Sequence, residues 1–241
     1  MEEKLNVILD LDNTLVCAVE KVHYDVASDP RFKAFNENLK YRDTTFVYTN
    51  DGSDVVHKEE YRIYARPHLD EFLDYLFENF NVSVFTNAEK DYAMYIVNNF
   101  IKGSFESEEK DKENKKRRLD FIFYRYHTMR GNEKFGGIKN LRLIWETYKM
   151  YYFFPANTII IDDLYDVYKT NPLNTIPIKH WNVTPLAIDQ VLEDDSLVKV
   201  GRELFHLEKY YEKNVYPDMT DIESMGTPIL DGYVFKEKTP L

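Results

Sequence analysis

The sequence predicts an α/β fold in which a central, mostly parallel sheet is flanked by helices. Three apolar runs with strand character, at 4–11, 81–86 and 157–163, each end in short polar residues. Segments with helical spacing of apolar residues lie between these runs, an alternation typical of parallel strands joined by crossover helices. Because ligands bind beside the carboxyl ends of parallel strands, we expect the polar residues there to share one site.

The first predicted strand, 4–11, is followed by a segment of different character. Residues 18–43 are mixed and polar without a clear period, so we expect them to wrap the surface. TTFVYT (44–49) and YRIYA (61–65) have the composition of two strands and are joined through the turn sequence NDGSD. The sequence therefore predicts a small β-hairpin insertion after strand 1.

Two predicted helices surround the strand at 81–86. Arg66-Pro67 ends the insertion and opens a helix whose apolar side chains continue at helical spacing to Phe80. A second helix is expected at 88–101, where apolar residues again fall on one face. These helices supply the crossovers that parallel strands need.

The remaining chain completes the predicted domain. Residues 103–120 carry almost no apolar side chains and predict a solvated loop, although the KKRR cluster within them also suits an acidic partner or a phosphate. The other predicted elements are a strand at 121–126, a helix at 139–150, strands at 157–163 and 175–178, and helices at 184–193 and 195–211. We interpret the chain as one domain, 1–211, with insertions at 18–65 and 103–135 and a poorly ordered or draped tail at 212–241.

Composition limits the classes of function. The chain has 241 residues, 19 tyrosines, 16 phenylalanines and a formal net charge of −11, which argues against direct binding of nucleic acid. A single cysteine, Cys17, excludes an internal disulfide and fits a reducing compartment. We see no secretory signal and no apolar run long enough to span a membrane, so we expect an intracellular protein, nuclear or cytoplasmic.

Asp10, Asp12 and Thr14 follow the first strand at two-residue steps. Alternate residues of a strand point to the same side, so the two carboxylates are expected to face one site. Like charges at that distance repel each other, and a divalent cation or a shared proton relieves the repulsion. The pattern therefore indicates chemistry rather than structure alone.

Residues at the other strand ends support phosphoryl transfer through an aspartyl-phosphate. We expect Asp10 to be the nucleophile and Asp12 to protonate the leaving alkoxide and then activate water. Two further groups are predicted around them. The candidate ligands of a Mg²⁺ ion are the carboxylates of Asp10, Asp12, Asp162 and Asp163. The candidate phosphate-binding residues are Thr14, Thr86, Asn87 and Lys139.

The motifs DLDNTLV, RPHLDEFL, VFTN, GIKNLRLI and IIIDDLYDVY occur in that order. Together they resemble the haloacid dehalogenase (HAD) superfamily and, more narrowly, its FCP/SCP-type RNA polymerase II C-terminal-domain phosphatases, the FCP1-homology or NIF domain. The resemblance covers about residues 4–195. It implies a Rossmann-like core and a Mg²⁺ cofactor. It also implies that the substrate is a protein or peptide carrying phosphoserine or phosphothreonine, such as the polymerase C-terminal domain. By position in the motifs it implies the same roles for Asp10, Asp12, Thr86, Lys139 and Asp162.

Several residues have an alternative interpretation. Thr86-x-x-Glu89 is also a capping box, which needs no function. Thr14 either braces the turn or positions the phosphate, and Lys134 competes with Lys139 for the role of phosphate lysine. Asp163 either lies beside the metal or helps to start a helix.

Two other functions remain as alternatives to a protein phosphatase. The first is an enzyme of the same superfamily that acts on a nucleotide or small-molecule phosphate. The second is a catalytically silent phosphoprotein-binding module, which the retained pair of aspartates makes the less favoured alternative. The oligomeric state cannot be inferred from the sequence.

Overall fold

The computed structural model describes residues 4–24, 31–49, 56–103, 117–130, 138–219 and 222–236. The strands within these ranges are β1 (Asn6–Leu9), β2 (Val16–Glu20), β3 (Tyr41–Thr49), β4 (Val56–Ala65), β5 (Asn81–Phe85), β6 (Leu119–Phe123), β7 (Thr158–Asp162) and β8 (Thr175–Pro177). The α-helices are α1 (Lys21–Tyr24), α2 (Phe32–Asn38), α3 (Leu69–Asn79), α4 (Lys90–Ile96), α5 (Arg125–Arg130), α6 (Tyr165–Thr170), α7 (Ile188–Leu192), α8 (Ser196–Tyr210) and α9 (Ile222–Gly226).

The central sheet has the strand order β6-β5-β1-β7-β8, and every neighbouring pair is parallel. Its middle strand β1 is fully buried, as expected for a short apolar run with helices on both faces. Val7 and Leu9 point into one apolar cluster and Ile8 into another, because alternate residues face opposite sides. The predicted α/β class with a mostly parallel sheet is confirmed.

The insertion after β1 is a three-stranded antiparallel sheet in the order β2-β4-β3. The predicted pairing of its two long strands is confirmed, with Tyr41 opposite Tyr64 and Thr49 opposite Val56. The turn NDGSD lies outside the described residues. Phe46 on β3 packs against the rings of Tyr92 and Tyr95 on α4, which joins the insertion to the main domain.

The prediction that 18–43 only wraps the surface is wrong. This segment contains part of β2, which pairs with β4, and it contains α2. Phe32 and Phe35 of α2 are buried in an apolar cluster with Cys17 and Trp181. Its elements β2, α1 and α2 are too short for a periodic pattern of apolar residues to be recognised in the sequence.

Three predicted elements have different bounds or type. The first strand ends at Leu9, so the predicted range 4–11 was too long. The segment predicted as a strand at 121–126 forms β6 at 119–123 and then enters α5. Within the range 139–150, predicted as a helix, only a short stretch is helical, chiefly the π-helical turn Leu143–Thr147.

The charged stretch 103–120 is described from residue 117 onward, so most of it lies outside the described residues. Arg117 of the KKRR cluster is buried, with Nη1 donating to the carbonyl of Ile101 at 2.9 Å and Nη2 to Asp74 at 2.9 Å. This arginine therefore belongs to the packing around α3 rather than to a free basic patch.

The segment predicted as a loose or draped tail runs over the core. It continues α8 through the π-helical turn Tyr211–Val215 and includes α9. Ile229 and Leu230 are buried, and their amides donate to the carbonyls of Pro155 and Leu173 at 3.0 and 3.1 Å. None of the helices in the described ranges combines the length and apolar character that crossing a bilayer requires.

Candidate active site

The loop after β1 brings its polar residues together by a tight turn. The amide of Asp10 donates to the carbonyl of Ile161 at 3.1 Å, which continues the ladder between β1 and β7 by one residue. The chain then reverses at Asn13, whose φ of 59° is in the left-handed region that asparagine tolerates. The amide of Leu15 closes the turn on the carbonyl of Leu11 at 2.8 Å. Thr14 thereby returns to Asp10.

Lys139 lies between Asp10, which follows β1, and Asp162, which ends β7. Its ammonium group donates to Oδ1 of Asp10 and to Oδ2 of Asp162, the latter at 2.7 Å, and all three side chains are buried. Lys139 does not open a helix as predicted but lies in an irregular segment. The side chain of Asn171 holds that segment, since Nδ2 donates to the carbonyl of Lys139 at 2.9 Å and Oδ1 accepts from the amide of Leu141 at 3.0 Å. Lys134 lies outside the described residues.

Asp163 lies beside this group and is held by two donors. Thr14 Oγ1 is 3.0 Å from Oδ1 of Asp163 and 3.2 Å from Oδ2 of Asp10, so its single proton is within reach of either carboxylate. His180 Nδ1 is 2.6 Å from Oδ2 of Asp163. The hydroxyl of Thr14 therefore contacts two carboxylates, a role that differs from both alternatives considered for it, bracing the turn and positioning the phosphate.

Asp12 has a different hydrogen-bond partner from the other acids. Its Oδ1 accepts a hydrogen bond from the hydroxyl of Tyr92 on α4. Asp12 also lines a cavity of about 860 Å³ whose walls include Phe46 and Tyr61 of the insertion and Asp91 of α4. Asp12 therefore lines this cavity, and its carboxylate does not belong to the cluster of three carboxylates formed by Asp10, Asp162 and Asp163.

Thr86 and Asn87 lie at the end of β5. The amide of Thr86 donates to the carbonyl of Phe123 at 2.9 Å, and its Oγ1 accepts from the amide of Ala88 at 3.1 Å. The residue before α4 is Glu89, and it makes no side-chain cap, so the capping box considered for Thr86 does not form. The side chain of Thr86 is buried, whereas Asn87 is exposed.

Arg66 anchors the loop that follows β1. Its guanidinium donates to the carbonyl of Thr14 at 2.9 Å and to that of Lys179 at 2.8 Å. The same group makes a bidentate pair with Asp194 at 2.8 and 3.1 Å, and both side chains are almost completely buried. A planar guanidinium suits this task because its donors point in fixed directions.

A sequence profile described as NLI interacting factor-like phosphatase matches residues 5–215. The chain belongs to this family. Membership supports a phosphatase function and confirms the resemblance inferred from the motifs.

Two viral proteins are similar to the chain, both described as putative CTD phosphatase-like protein 355R. The protein of Invertebrate iridescent virus 6 is 32% identical over 177 residues, covering 72% of this chain and 84% of the relative. The protein of Invertebrate iridescent virus 3 is 32% identical over 205 residues, covering 84% of this chain and 96% of the relative.

Two solved structures show the same fold. A structure of Fcp1, described as an essential RNA polymerase II CTD phosphatase, matches 88% of this chain with a TM-score of 0.55 and 17% identity. A beryllium fluoride-bound form of fission yeast Fcp1 matches 90% with a TM-score of 0.59 and 17% identity. This chain spans 64% and 65% of the lengths of those two chains, less than two thirds in each case.

The charged groups of the candidate site alter one another's pKa values. Burial raises the pKa of Asp10 well above its usual range, while the charge of Lys139 opposes that change and Asp162 adds to it. Burial also raises the pKa of Asp162, again opposed by Lys139. Burial lowers the pKa of Lys139, but the two carboxylates outweigh it and raise the pKa overall. Lys139 therefore stays protonated, and its one positive charge is shared between the carboxyl groups of Asp10 and Asp162.

The donor set fits a hard divalent cation. Asp10, Asp162 and Asp163 each offer one carboxylate oxygen, and these three atoms lie within 4.8 Å of one another. Oxygen ligands from several carboxylates are what Mg²⁺ and Ca²⁺ prefer. When all three carboxylates are ionised, the single charge of Lys139 does not balance them, and a bound cation relieves their repulsion.

The sequence analysis missed the roles at the site of four residues, namely Tyr92, His180 and the paired Arg66 and Asp194. Tyr92 falls on the buried side of α4, where an aromatic residue predicts only packing. The pairing of Arg66 with Asp194 joins residues 128 positions apart, which no local pattern indicates. His180 could have been found from the sequence, because it follows the apolar strand β8 in the same way as other site residues follow β1, β5 and β7.

Proposed function

We propose that this chain is a Mg²⁺-dependent protein phosphatase that hydrolyses phosphoserine and phosphothreonine through an aspartyl-phosphate on Asp10. The observation that carries the proposal is the position of Asp10, buried at the end of β1 between the ammonium of Lys139 and the hydroxyl of Thr14. A carboxylate fixed by two donors is pre-organised to attack in one direction.

The first step transfers the phosphoryl group to Asp10. An oxygen of Asp10 forms a bond to phosphorus while the ester bond to the serine or threonine oxygen breaks. Asp12 donates its proton to the leaving alkoxide. Burial raises the pKa of Asp12, which favours the protonated form that this step needs, although the hydrogen bond from Tyr92 opposes it.

The second step releases inorganic phosphate. Asp12, now ionised, accepts a proton from a water molecule as that water attacks phosphorus, and the bond between phosphorus and Asp10 breaks. Asp10 and protonated Asp12 are thereby regenerated. Lys139 balances the charge of Asp10 and the transferred oxygens, while the hydroxyl of Thr86 and the side chain of Asn87 are the further groups that we propose contact the phosphate.

Asp10, Asp162 and Asp163 would hold the metal ion. When bound, Mg²⁺ supplies positive charge that lowers the repulsion between the carboxylate and the incoming phosphate. Ligation by the side chain of Asp12 is the least supported of the predicted metal contacts, because its carboxylate is turned toward Tyr92.

The cavity beside Asp12 supports a peptide substrate. Its volume of about 860 Å³ exceeds what a phosphate alone requires, and Phe46, Val47 and Tyr61 give it an apolar wall for side chains that flank the phosphorylated residue. The names of the relatives are consistent with a phosphorylated protein such as the C-terminal domain of RNA polymerase II. We propose an intracellular location, nuclear or cytoplasmic, and no direct binding of nucleic acid, given the charge of −11.

A panel of substrates tests this function. Phosphate release is measured from phosphoserine, phosphothreonine and phosphotyrosine peptides, a nucleotide and an aryl phosphate, each with Mg²⁺ and with a chelator. We expect the phosphoserine and phosphothreonine peptides to be the best substrates and the chelator to stop turnover. A clear preference for the nucleotide or the aryl phosphate would instead support the small-molecule alternative.

Asp10→Asn tests the nucleophile in the same assay. We expect a loss of about 10³-fold or more, because the amide cannot form the acyl phosphate. Asp189→Asn is the matched control, since Asp189 is exposed on α7. Equal turnover by Asp10→Asn and the control would refute the mechanism, and no turnover by the unmodified protein on any phosphoester would favour the binding module.

A further inference from the structure

We propose that His180 is a positioning residue that fixes the carboxylate of Asp163 for the divalent cation. This inference rests on the metal-dependent function proposed above. His180 Nδ1 lies 2.6 Å from Oδ2 of Asp163, a distance at the short end for a nitrogen donor and a carboxylate. An ionised carboxylate only accepts hydrogen bonds, so Nδ1 carries the proton in this contact.

The two partners differ sharply in exposure. The side chain of Asp163 is 1% exposed, whereas that of His180 is 53% exposed. The imidazole thus reaches inward from the surface to a carboxylate that water barely touches. In such surroundings a hydrogen bond to a charged acceptor is stronger than in water, and losing it leaves the acceptor unsatisfied.

Both oxygens of Asp163 are held, each by a different residue. Thr14 Oγ1 lies 3.0 Å from Oδ1, and His180 holds Oδ2. Thr14 has a single proton and is also 3.2 Å from Asp10, so it cannot donate to both carboxylates at once. His180 is therefore the donor that keeps Asp163 oriented when Thr14 donates to Asp10.

The backbone on either side of His180 is anchored to the site. The amide of Ile178 donates to the carbonyl of Asp162 at 3.1 Å, and the carbonyl of Lys179 accepts from Arg66 at 2.8 Å. On the other side, the amide of Trp181 donates to the carbonyl of Asn13 at 2.9 Å. These contacts fix the backbone before and after the imidazole, so a half-exposed side chain can still have a defined position.

The other two candidate ligands do not depend on His180. Asp10 is held by Lys139 and Thr14, and Asp162 by Lys139 and the amide of Leu164 at 2.9 Å. Residues that orient a metal ligand by hydrogen bonds typically change metal affinity by about 10–100-fold when they are removed. The expected effect of losing His180 is accordingly a weaker cation site with its other two ligands intact.

Direct titration of the protein with Mg²⁺ by calorimetry, without substrate, tests the proposal. We expect His180→Ala to weaken Mg²⁺ binding by about 10-fold or more. His180→Asn should recover most of the affinity, because its amide nitrogen can take the place of Nδ1. His206→Ala is the control, since His206 is an exposed histidine on α8, and its affinity should equal that of the unmodified protein.

Kinetics separates positioning from a general structural effect. We expect His180→Ala to need more Mg²⁺ for half-maximal turnover, while the KM for the phosphopeptide at saturating Mg²⁺ stays unchanged. Equal Mg²⁺ affinity for His180→Ala and the unmodified protein would overturn the inference alone, as would His180→Asn binding as weakly as His180→Ala. Failure of the unmodified protein to bind Mg²⁺ would overturn the proposed metal-dependent function as well.

Discussion

At the scale of single residues, Asp10 and Asp12 are two positions apart but have different partners. Asp10 contacts a lysine, whereas Asp12 accepts a hydrogen bond from the hydroxyl of Tyr92. Burial raises the pKa of Asp12 and that hydrogen bond lowers it, because it stabilises the ionised carboxylate. The proposed division of labour between nucleophile and proton donor follows from these surroundings.

Tyr92→Phe is expected to change the pH dependence of turnover. Removal of the hydroxyl raises the pKa of Asp12 further, so the proton donor stays protonated to a higher pH. The alkaline limb of the pH profile of kcat should therefore shift to higher pH, as measured by phosphate release across a pH series at saturating Mg²⁺.

Tyr95→Phe is the matched control for this change. Tyr95 lies on the same helix, but its hydroxyl donates to the carbonyl of Asp43 at 3.4 Å instead of to a site carboxylate. Its pH profile should overlay that of the unmodified protein. A shift of the alkaline limb to lower pH in Tyr92→Phe would contradict the role given to Asp12.

At the scale of elements, Arg66 joins the end of the insertion to the loop of the site. It follows β4 directly and binds the carbonyl of Thr14 at 2.9 Å, the carbonyl of Lys179 at 2.8 Å and both oxygens of Asp194. Asp194 also accepts from the amide and the hydroxyl of Ser196 at 3.1 and 3.0 Å. One buried ion pair thus ties the insertion, the site and the start of α8 together.

Arg66→Met is expected to destabilise the protein by about 3–5 kcal/mol, because it leaves Asp194 buried without a counter-charge. The measurement is the free energy of unfolding in urea. Lys199→Met, which removes the exposed pair with Asp195 on the same helix, should cost only about 0.3–0.5 kcal/mol. Arg66→Met combined with Asp194→Leu should recover only part of the loss, because it removes the unpaired charge but not the need of Ser196 and the two carbonyls for partners. A cost for Arg66→Met no larger than that of the control would show that the pair does not hold these elements.

The ends of the parallel strands could be predicted from the sequence, and the connections between them could not. Asp10, Thr86 and Asp162 each follow a buried apolar run, so a local pattern places them at one edge of the sheet. The irregular segment of Lys139 depends on Asn171, a contact made across 32 positions. Likewise β2 is a strand because it pairs with β4, and its own sequence has too few residues to show a period.

At the scale of the whole molecule, the candidate site lies where two sheets meet. The parallel sheet supplies Asp10 and Asp162, while the insertion supplies Phe46 and Tyr61 to the far wall of the cavity beside Asp12. The sequence predicted the parallel sheet and the hairpin of the insertion but not how they meet, because the contact is made by Phe46 with α4. We expect substitutions in the insertion to change substrate preference more than the chemical step.

The folded unit extends past residue 211, the end of the domain that the sequence suggested. The family profile stops at residue 215, and the sequence alone suggested a domain boundary at 211. Ile229 and Leu230 are 1% and 4% exposed and belong to the same buried cluster as Val7 and Leu9 of the central strand. Glu203 adds a polar tie, since it accepts from the hydroxyl of Tyr233 at 2.5 Å.

Leu230→Ala measures whether this segment contributes to the stability of the fold. Deleting a buried leucine side chain typically costs about 2–5 kcal/mol, so unfolding in urea should occur at a clearly lower concentration. Val234→Ala is the control, because Val234 is 68% exposed and its loss should change the free energy of unfolding by less than about 0.5 kcal/mol. If the segment detached readily from the core, the two substitutions would cost equally little. A large difference between them would instead place the end of the folded unit beyond Leu230, past the last residue that the family profile matches.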